Sequence, residues 1–204
     1  MTDIISTMEE LDAIYGAPVS AARIKEIDYI SDHYRTFIEA SPFMVLATVG
    51  PEGLDCSPRG DPRGFVRIVD RHTLMIPDRR GNNRVDSLRN IVRDPRVALL
   101  FLIPGVGETM RVNGRAVLST DLALRESFVM QGKAPACVIV VTAERVYPQC
   151  PKALVRSKLW DSEGHITRSM LPSMGQMVEA LTKGDFDGKA YDAAYPERLK
   201  QTIY

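Results

Sequence analysis

Net charge, histidine and cysteine are what this sequence has little of. Lys+Arg and Asp+Glu both number 26 in 204 residues, so the formal net charge is zero. No global field recruits nucleic acid or an anionic membrane, and any anion site must be local. The three cysteines, Cys56, Cys137 and Cys150, cannot close a paired set and lack zinc-ligand spacing, so a reducing cytoplasm is expected. His33, His72 and His165 lie far apart along the chain, so no metal site is read from them. No apolar run approaches the roughly 18 residues that span a bilayer. The opening stretch MTDIISTMEELDAIYG is acidic and has no long apolar core, unlike a secretory leader.

What is present suits one ordinary domain with additions at its ends. Hydrophobic residues make up 45% and charged residues 25%, enough to build a core under a soluble surface. Residues 1–40 read as a helical extension. Ser6 is the expected N-cap of a first helix, with Glu9 three residues on and Gly16 as its stop. Ile24, Ile27, Ile30, Tyr34, Phe37 and Ile38 then recur at helical spacing, with a break expected near Asp28.

After Pro42 the period shortens to that of strands. FMVLATV and LDCSPRG flank a Gly/Pro turn, and GFVRIV and TLMIP form a second hairpin. NNRVDSLRNIV is a short helix, RVALLFLIPG a strand expected to be buried on both faces, ETMRVNGRAVLST an alternating strand and CVIVVTAERVYPQC a long one. Short helices are expected at DLALRESFV, PKALVRSKLW and PSMGQMVEALTKG, and the tail DFDGKAYDAAYPERLKQTIY is expected to pack loosely or reach a partner. The fold class is mainly β with flanking helices (α+β), a six-stranded antiparallel barrel at 41–161 followed by a helix and tail at 162–204.

Four motifs carry charge or irregular backbone. In DRRGNNRV, three arginines, a glycine and two asparagines precede a helix. Asn83 as N-cap would place Asp86 at the third helical position. Unpaired N–H groups at a helix start beside Arg80 and Arg84 are the parts of a phosphate cradle, and equally of a solvated turn. CSPRGDPRGF holds Arg59, Gly60 and Asp61 among prolines and glycines, either in a bulged segment that aims polar groups or in a plain loop. Thr109 and Arg111 share one side of an alternating strand. Lys152 and Arg156 share a helix face near Trp160, which either stacks on a ligand or anchors the C-terminal segment.

From about Ser41 to Asp161 the chain resembles the pyridoxamine 5'-phosphate oxidase-like, FMN-binding split β-barrel flavoproteins. The resemblance rests on SPFMVLATVGPEG, SPRGDPRGFV, TLMIPDRRGNNRVDSLRNI, PRVALLFLIPG, ETMRVNGRA and CPKALVRSKLW. It implies FMN as cofactor and a homodimer with FMN at the interface. It places the FMN phosphate at Asn83 and Arg84, with Arg80 and Asn82 beside them. It places the isoalloxazine edge against Arg59, Gly60, Asp61, Ile76 and Pro77, with a polar contact from Thr109 or Arg111. Lys152, Arg156, Ser157 or Trp160 would reach the cofactor from the second subunit.

The true oxidase has adjacent Arg-Lys at its phosphate site, where this chain has NNR, and its arginine-rich C-terminal block has no match here. Pyridoxal phosphate synthesis is therefore not the expected activity. The resemblance implies an FMN-dependent oxidoreductase of unidentified substrate. A non-catalytic flavin or haem carrier or sensor, and a deazaflavin-dependent reductase, are the alternatives. No general acid or base is identified among the residues.

Overall fold

The computed structural model describes residues 4–204. Alternating burial sets its frame: along β1 (Phe43–Gly50), Met44, Leu46 and Thr48 are buried while Val45, Ala47 and Val49 are half-buried. This period-two pattern is what a strand with one face on a core requires. β1 turns at Pro51 and Glu52 into β2 (Gly53–Gly60), and the pair runs in unbroken antiparallel register from Phe43↔Gly60 to Gly50↔Gly53. Five more strands complete one antiparallel sheet: β3 (Arg67–Ile68), β4 (Thr73–Pro77), β5 (Arg96–Leu102), β6 (Thr109–Ser119) and β7 (Val138–Gln149). Their order is β2-β1-β5-β6-β7-β4-β3, so β2 and β3 are the two edges of an open, split barrel.

The sheet has seven strands where six were expected. β3, expected as the longer strand GFVRIV, is cut to two residues because Phe65 and Val66 turn into the core instead. Of CSPRGDPRGF, residues 56–60 form neither the bulge nor the plain loop read from the sequence but a regular strand. Pro58 is tolerated there because β2 is an edge and no ladder N–H is lost. The bulge lies in β7, where Glu144 is left unpaired between Ala143 and Arg145, the partners of Gly114 and Asn113 in β6. A Cβ on Gly114 would come within 2.0 Å of the Thr142 carbonyl oxygen, so the strands approach that closely only because the side chain is missing.

β5 was expected to be buried on both faces. Val97, Leu99 and Phe101 are buried, but Ala98, Leu100 and Leu102 are only half-covered. The continuous apolar run arises because the outward sheet face is itself apolar. Across the register, Leu100 pairs with Val45, which pairs with Pro58.

Helices close the barrel. The N-terminal region breaks where expected, into α1 (Met8–Tyr15), α2 (Ser20–Ile24) and α3 (Asp32–Ala40). The first cap is Thr7 with Glu10 in a capping box, one residue after the expected Ser6 and Glu9. α1 and α2 bury no residue, whereas α3 sends the fully buried Ile38 into the core. Between them Ile27 bridges to Val146 of β7. α4 (Asp86–Arg93) packs its Ile91 inward between β1 and β6. α5 (Leu122–Glu126) and α6 (Lys152–Ser157) are single short turns.

The tail does not pack loosely. Residues 188–202 form α8 (Gly188–Thr202), which lies on α7 (Met174–Leu181). The helices touch at glycines: a Cβ on Gly188 would fall 2.6 Å from the Gly175 carbonyl oxygen. The Asp192 carboxylate accepts the Gly175 N–H at 2.9 Å, fixing the crossing. Among the described residues, no helix is long and apolar enough to cross a membrane.

Candidate functional site

The ends of β2 and β4 converge on the segment that leads into α4, and a cleft of about 1300 Å³ opens there. Small-molecule sites typically occupy about 300–1,000 Å³, so this cleft has room for more than one small ligand. Its wall carries six cations (Arg59, Arg79, Arg80, Arg84, Arg125 and Lys133) against four carboxylates (Asp55, Asp61, Asp78 and Asp86). In a chain without net charge, this excess of cations is local to the cleft.

The arginines are not equivalent. Arg79 is committed: its Nε donates to Asp61 Oδ2 at 2.7 Å and its Nη1 to the Phe128 carbonyl at 2.7 Å. Arg84 donates to Asp86 at 2.8 Å on an exposed surface, where the pair adds little stability and its guanidinium is easily redirected. Arg125 donates through Nε to the Pro135 carbonyl at 2.8 Å. Arg59 gives one Nη1 bond to the Pro58 carbonyl at 2.9 Å, and its Nε is buried with no protein partner. A buried donor without an acceptor is costly, and an acceptor brought by a ligand would relieve that cost.

Asp78 lies beside Arg59. Burial pushes its carboxyl above the ordinary carboxylate range, and Arg59 opposes the shift. Next to it, burial first and then the Asp78 charge hold the Cys137 thiol up at about 11, so it is an inert packing group.

The start of α4 differs from expectation. The N-cap is Val85, not Asn83, and it makes no side-chain cap bond. Asn83 (φ 63°) and Val85 (φ 52°) both take left-handed backbone, while Asn82 Oδ1 accepts the Arg84 N–H at 3.1 Å. The asparagines thus shape the turn and do not cap the helix. The first intrahelical bond runs from Arg89 N–H to the Val85 carbonyl, which leaves the first-turn N–H groups without helical partners at the cleft. Asp55 is occupied, accepting Ser87 Oγ at 2.6 Å and Ser57 Oγ at 3.0 Å.

The fold brings eight of the residues singled out in the sequence to this cleft: Arg59, Gly60, Asp61, Pro77, Arg80, Asn82, Asn83 and Arg84. Ile76 is adjacent but fully buried in the core. Thr109, Arg111, Lys152, Arg156, Ser157 and Trp160 lie elsewhere on the chain. Thr109 is buried at the start of β6, and Arg111 is exposed on the outward sheet face, 5.7 Å from the Tyr147 ring. Lys152 and Arg156 are exposed on α6, and Ser157 Oγ donates to the Leu154 carbonyl at 3.1 Å. Trp160 donates Nε1–H to the Val106 carbonyl at 2.8 Å and so tethers the segment after α6.

Arg125, Lys133, Asp78 and Tyr204 also line the cleft and were not singled out. No shared motif marks the set: Asp78 opens DRRGNNRV, Arg125 stands on α5, Lys133 lies in the segment before β7 and Tyr204 follows α8. The phenol of Tyr204 donates to Asp61 Oδ1 at 2.5 Å across 143 residues of sequence.

Comparison with known proteins places this architecture. Among solved structures, the chain is similar to HupZ of Group A Streptococcus, at 18% identity and TM-score 0.48, covering 59% of this chain and 94% of that one. It is also similar to general stress protein 26 of Bacillus anthracis str. Sterne, at 17% identity and TM-score 0.42, covering 56% of this chain and 88% of that one. A third is an FMN-binding protein from Syntrophomonas wolfei subsp. wolfei, at 12% identity and TM-score 0.42, covering 56% of this chain and 86% of that one. No curated protein matches. The family model described as pyridoxamine 5'-phosphate oxidase matches residues 30–150, which run from the end of the N-terminal helical region through β7. That match takes in every strand of the sheet and more than half of the sequence, and by it the chain belongs to the pyridoxamine 5'-phosphate oxidase family.

Proposed function

We propose that the cleft binds FMN and that the protein is an FMN-dependent oxidoreductase acting on a small molecule. The observation that carries this reading is the buried, unpartnered Nε of Arg59 on the cleft wall. The residues present fit the cofactor. Arg59 offers a donor to a carbonyl or nitrogen acceptor on the ring. Arg80 and Arg84, with the uncapped first turn of α4, offer charge and N–H groups to a phosphate. Gly60 and Pro77 line the same cleft.

Bound FMN would supply hydride and electron transfer. The chain's contribution is binding and electrostatics. Arg59 places positive charge where negative charge on the ring is favoured. Beside it, burial raises the Asp78 carboxyl above its ordinary range and Arg59 opposes that shift. The cleft volume leaves space for a second ligand next to the cofactor. A haem would need a side chain to ligate its iron. Tyr204 is a lining side chain of a type that can serve, and its phenol is engaged by Asp61.

We also propose that two copies pair through the outward sheet face. Phe43, Val45, Ala47, Ala98, Leu100 and Leu102 form contiguous apolar pairs on β1 and β5, with Leu54, 86% exposed, on β2. Burying such a face is the ordinary basis of a homodimer. In that dimer Lys152, Arg156, Ser157 or Trp160 of one copy is proposed to reach the cofactor of the other.

The test is an FMN titration of wild type and Arg59→Ala, followed by anaerobic mixing of the loaded protein with NADH and NADPH. The reading expects binding that is at least about tenfold weaker in the variant and bleaching by one of the nucleotides. Equal affinity in the two proteins contradicts the assigned site. Bound flavin that no nucleotide or test substrate reduces contradicts the oxidoreductase assignment.

A further inference from the structure

Asp61 reads in the sequence as a ligand contact, yet the fold takes it out of a ligand's reach. Its side chain is 1% exposed, with Oδ2 held by Arg79 at 2.7 Å and Oδ1 by the Tyr204 phenol at 2.5 Å. What the cleft meets at this corner is Tyr204, whose ring centroid lies 5.5 Å from the Arg79 guanidinium carbon.

Tyr204 arrives there on a fixed arm. The base of α8 is pinned to α7, where the Asp192 carboxylate accepts both the Gly175 N–H and the Ser173 hydroxyl. Beyond the helix, the Lys133 ammonium donates to the Tyr204 main-chain oxygen at 2.6 Å and to the Gln201 carbonyl at 3.5 Å. The phenol's proton is held, because the hydrogen bond to Asp61 raises its pKa above the ordinary tyrosine value. A neutral donor on an ionised acceptor is among the stronger hydrogen bonds a side chain makes.

We propose that Tyr204 is a ligand-retaining wall of the cleft: α8 carries it across, its bond to Asp61 latches it, and a bound ligand leaves only when that latch opens. The identity of the ligand, FMN, rests on the reading given under Proposed function; the latched wall does not. Asp61 and Arg79 then act as positioning residues, which hold the tyrosine in place without touching the ligand.

Two measurements test this. The first is the FMN dissociation rate of wild type, Tyr204→Phe and Tyr204→Ala. The second needs no ligand: the rate at which phenylglyoxal modifies Arg79 in the apo protein, read by mass spectrometry, with the exposed Arg93 of α4 as internal reference. Loss of one hydrogen bond to a charged acceptor predicts release about tenfold faster in both variants, and Arg79 modification about tenfold faster in Tyr204→Ala. FMN leaving the variants at the wild-type rate overturns the proposal. So does Arg79 reacting equally fast in wild type and Tyr204→Ala. If wild type takes up no FMN, the flavin reading fails, and protection of Arg79 alone decides for or against the wall.

Discussion

Arg79 and Asp61 form an ion pair, Nε to Oδ2 at 2.7 Å, in which the carboxylate side chain is 1% exposed and the arginine side chain 17%. The sequence separates them by 18 residues, and the fold joins them at the floor of the cleft. Breaking a buried pair from one side strands the other charge, at a cost of about 3–5 kcal/mol. Asp61→Ala is therefore expected to lower unfolding free energy by about 3 kcal/mol, read as a fall in the urea midpoint. An unchanged midpoint would show that Arg79 finds water instead.

Arg59 should behave in the opposite way. Its Nε serves no partner within the chain, so Arg59→Ala is expected to leave the melting temperature within about 2 °C of wild type. Any effect of that substitution should appear in ligand binding instead. A large loss of stability would assign Arg59 a structural task.

Asp86 is predicted to restrain the phosphate end of the site. It ties Arg84 at 2.8 Å and sets a carboxylate in the first turn of α4, where an incoming phosphate would be repelled. Asp86→Asn is expected to tighten FMN binding about three- to tenfold, measured by fluorescence titration. Weaker binding would place the phosphate elsewhere.

The buried carboxyl of Asp78 gives a pH signature. Its pKa is raised on folding, so between the ordinary carboxylate pKa and the raised value the native state holds a proton that the unfolded chain has released. The contribution of Asp78 is thus fully present below that window and is lost as pH rises through it. Asp78→Asn should flatten this fall. The check is the difference in urea midpoint between wild type and variant from about pH 4 to pH 7. A constant difference across that range contradicts the assigned shift.

Gly114 has a purely steric prediction. A Cβ there meets the Thr142 carbonyl at 2.0 Å, a backbone atom that cannot swing away. Gly114→Ala is expected to cost about 3 kcal/mol, the upper part of the range for overpacking, as read by chemical denaturation. A near-neutral result would mean that β6 and β7 separate easily at the bulge.

The elements that could be read in the sequence were those whose signal is local. The β1–β2 hairpin declares itself through alternating residues around Pro51 and Glu52. α7 lies within the segment PSMGQMVEALTKG, and the structure adds its cap, Ser173 in a box with Gln176. What stayed hidden depends on tertiary context. Pro58 resembles a strand breaker until β2 proves to be an edge. Asn83 resembles an N-cap, but left-handed backbone at Val85 moves the helix start to Asp86. That Arg80 and Arg84 share one place, the cleft wall, was legible because they sit in one motif. The commitment of Arg79 to Asp61, and of Tyr204 to the same carboxylate, was not legible, since nothing local links positions 61, 79 and 204.

The central claim is that the cleft between β2, β4 and α4 holds FMN. It is tested most directly by the visible absorption spectrum of the purified protein, recorded before and after incubation with FMN and desalting. The bands of oxidised flavin are expected to survive desalting at one FMN per chain and to diminish in Arg59→Ala. A colourless protein after both treatments would contradict it.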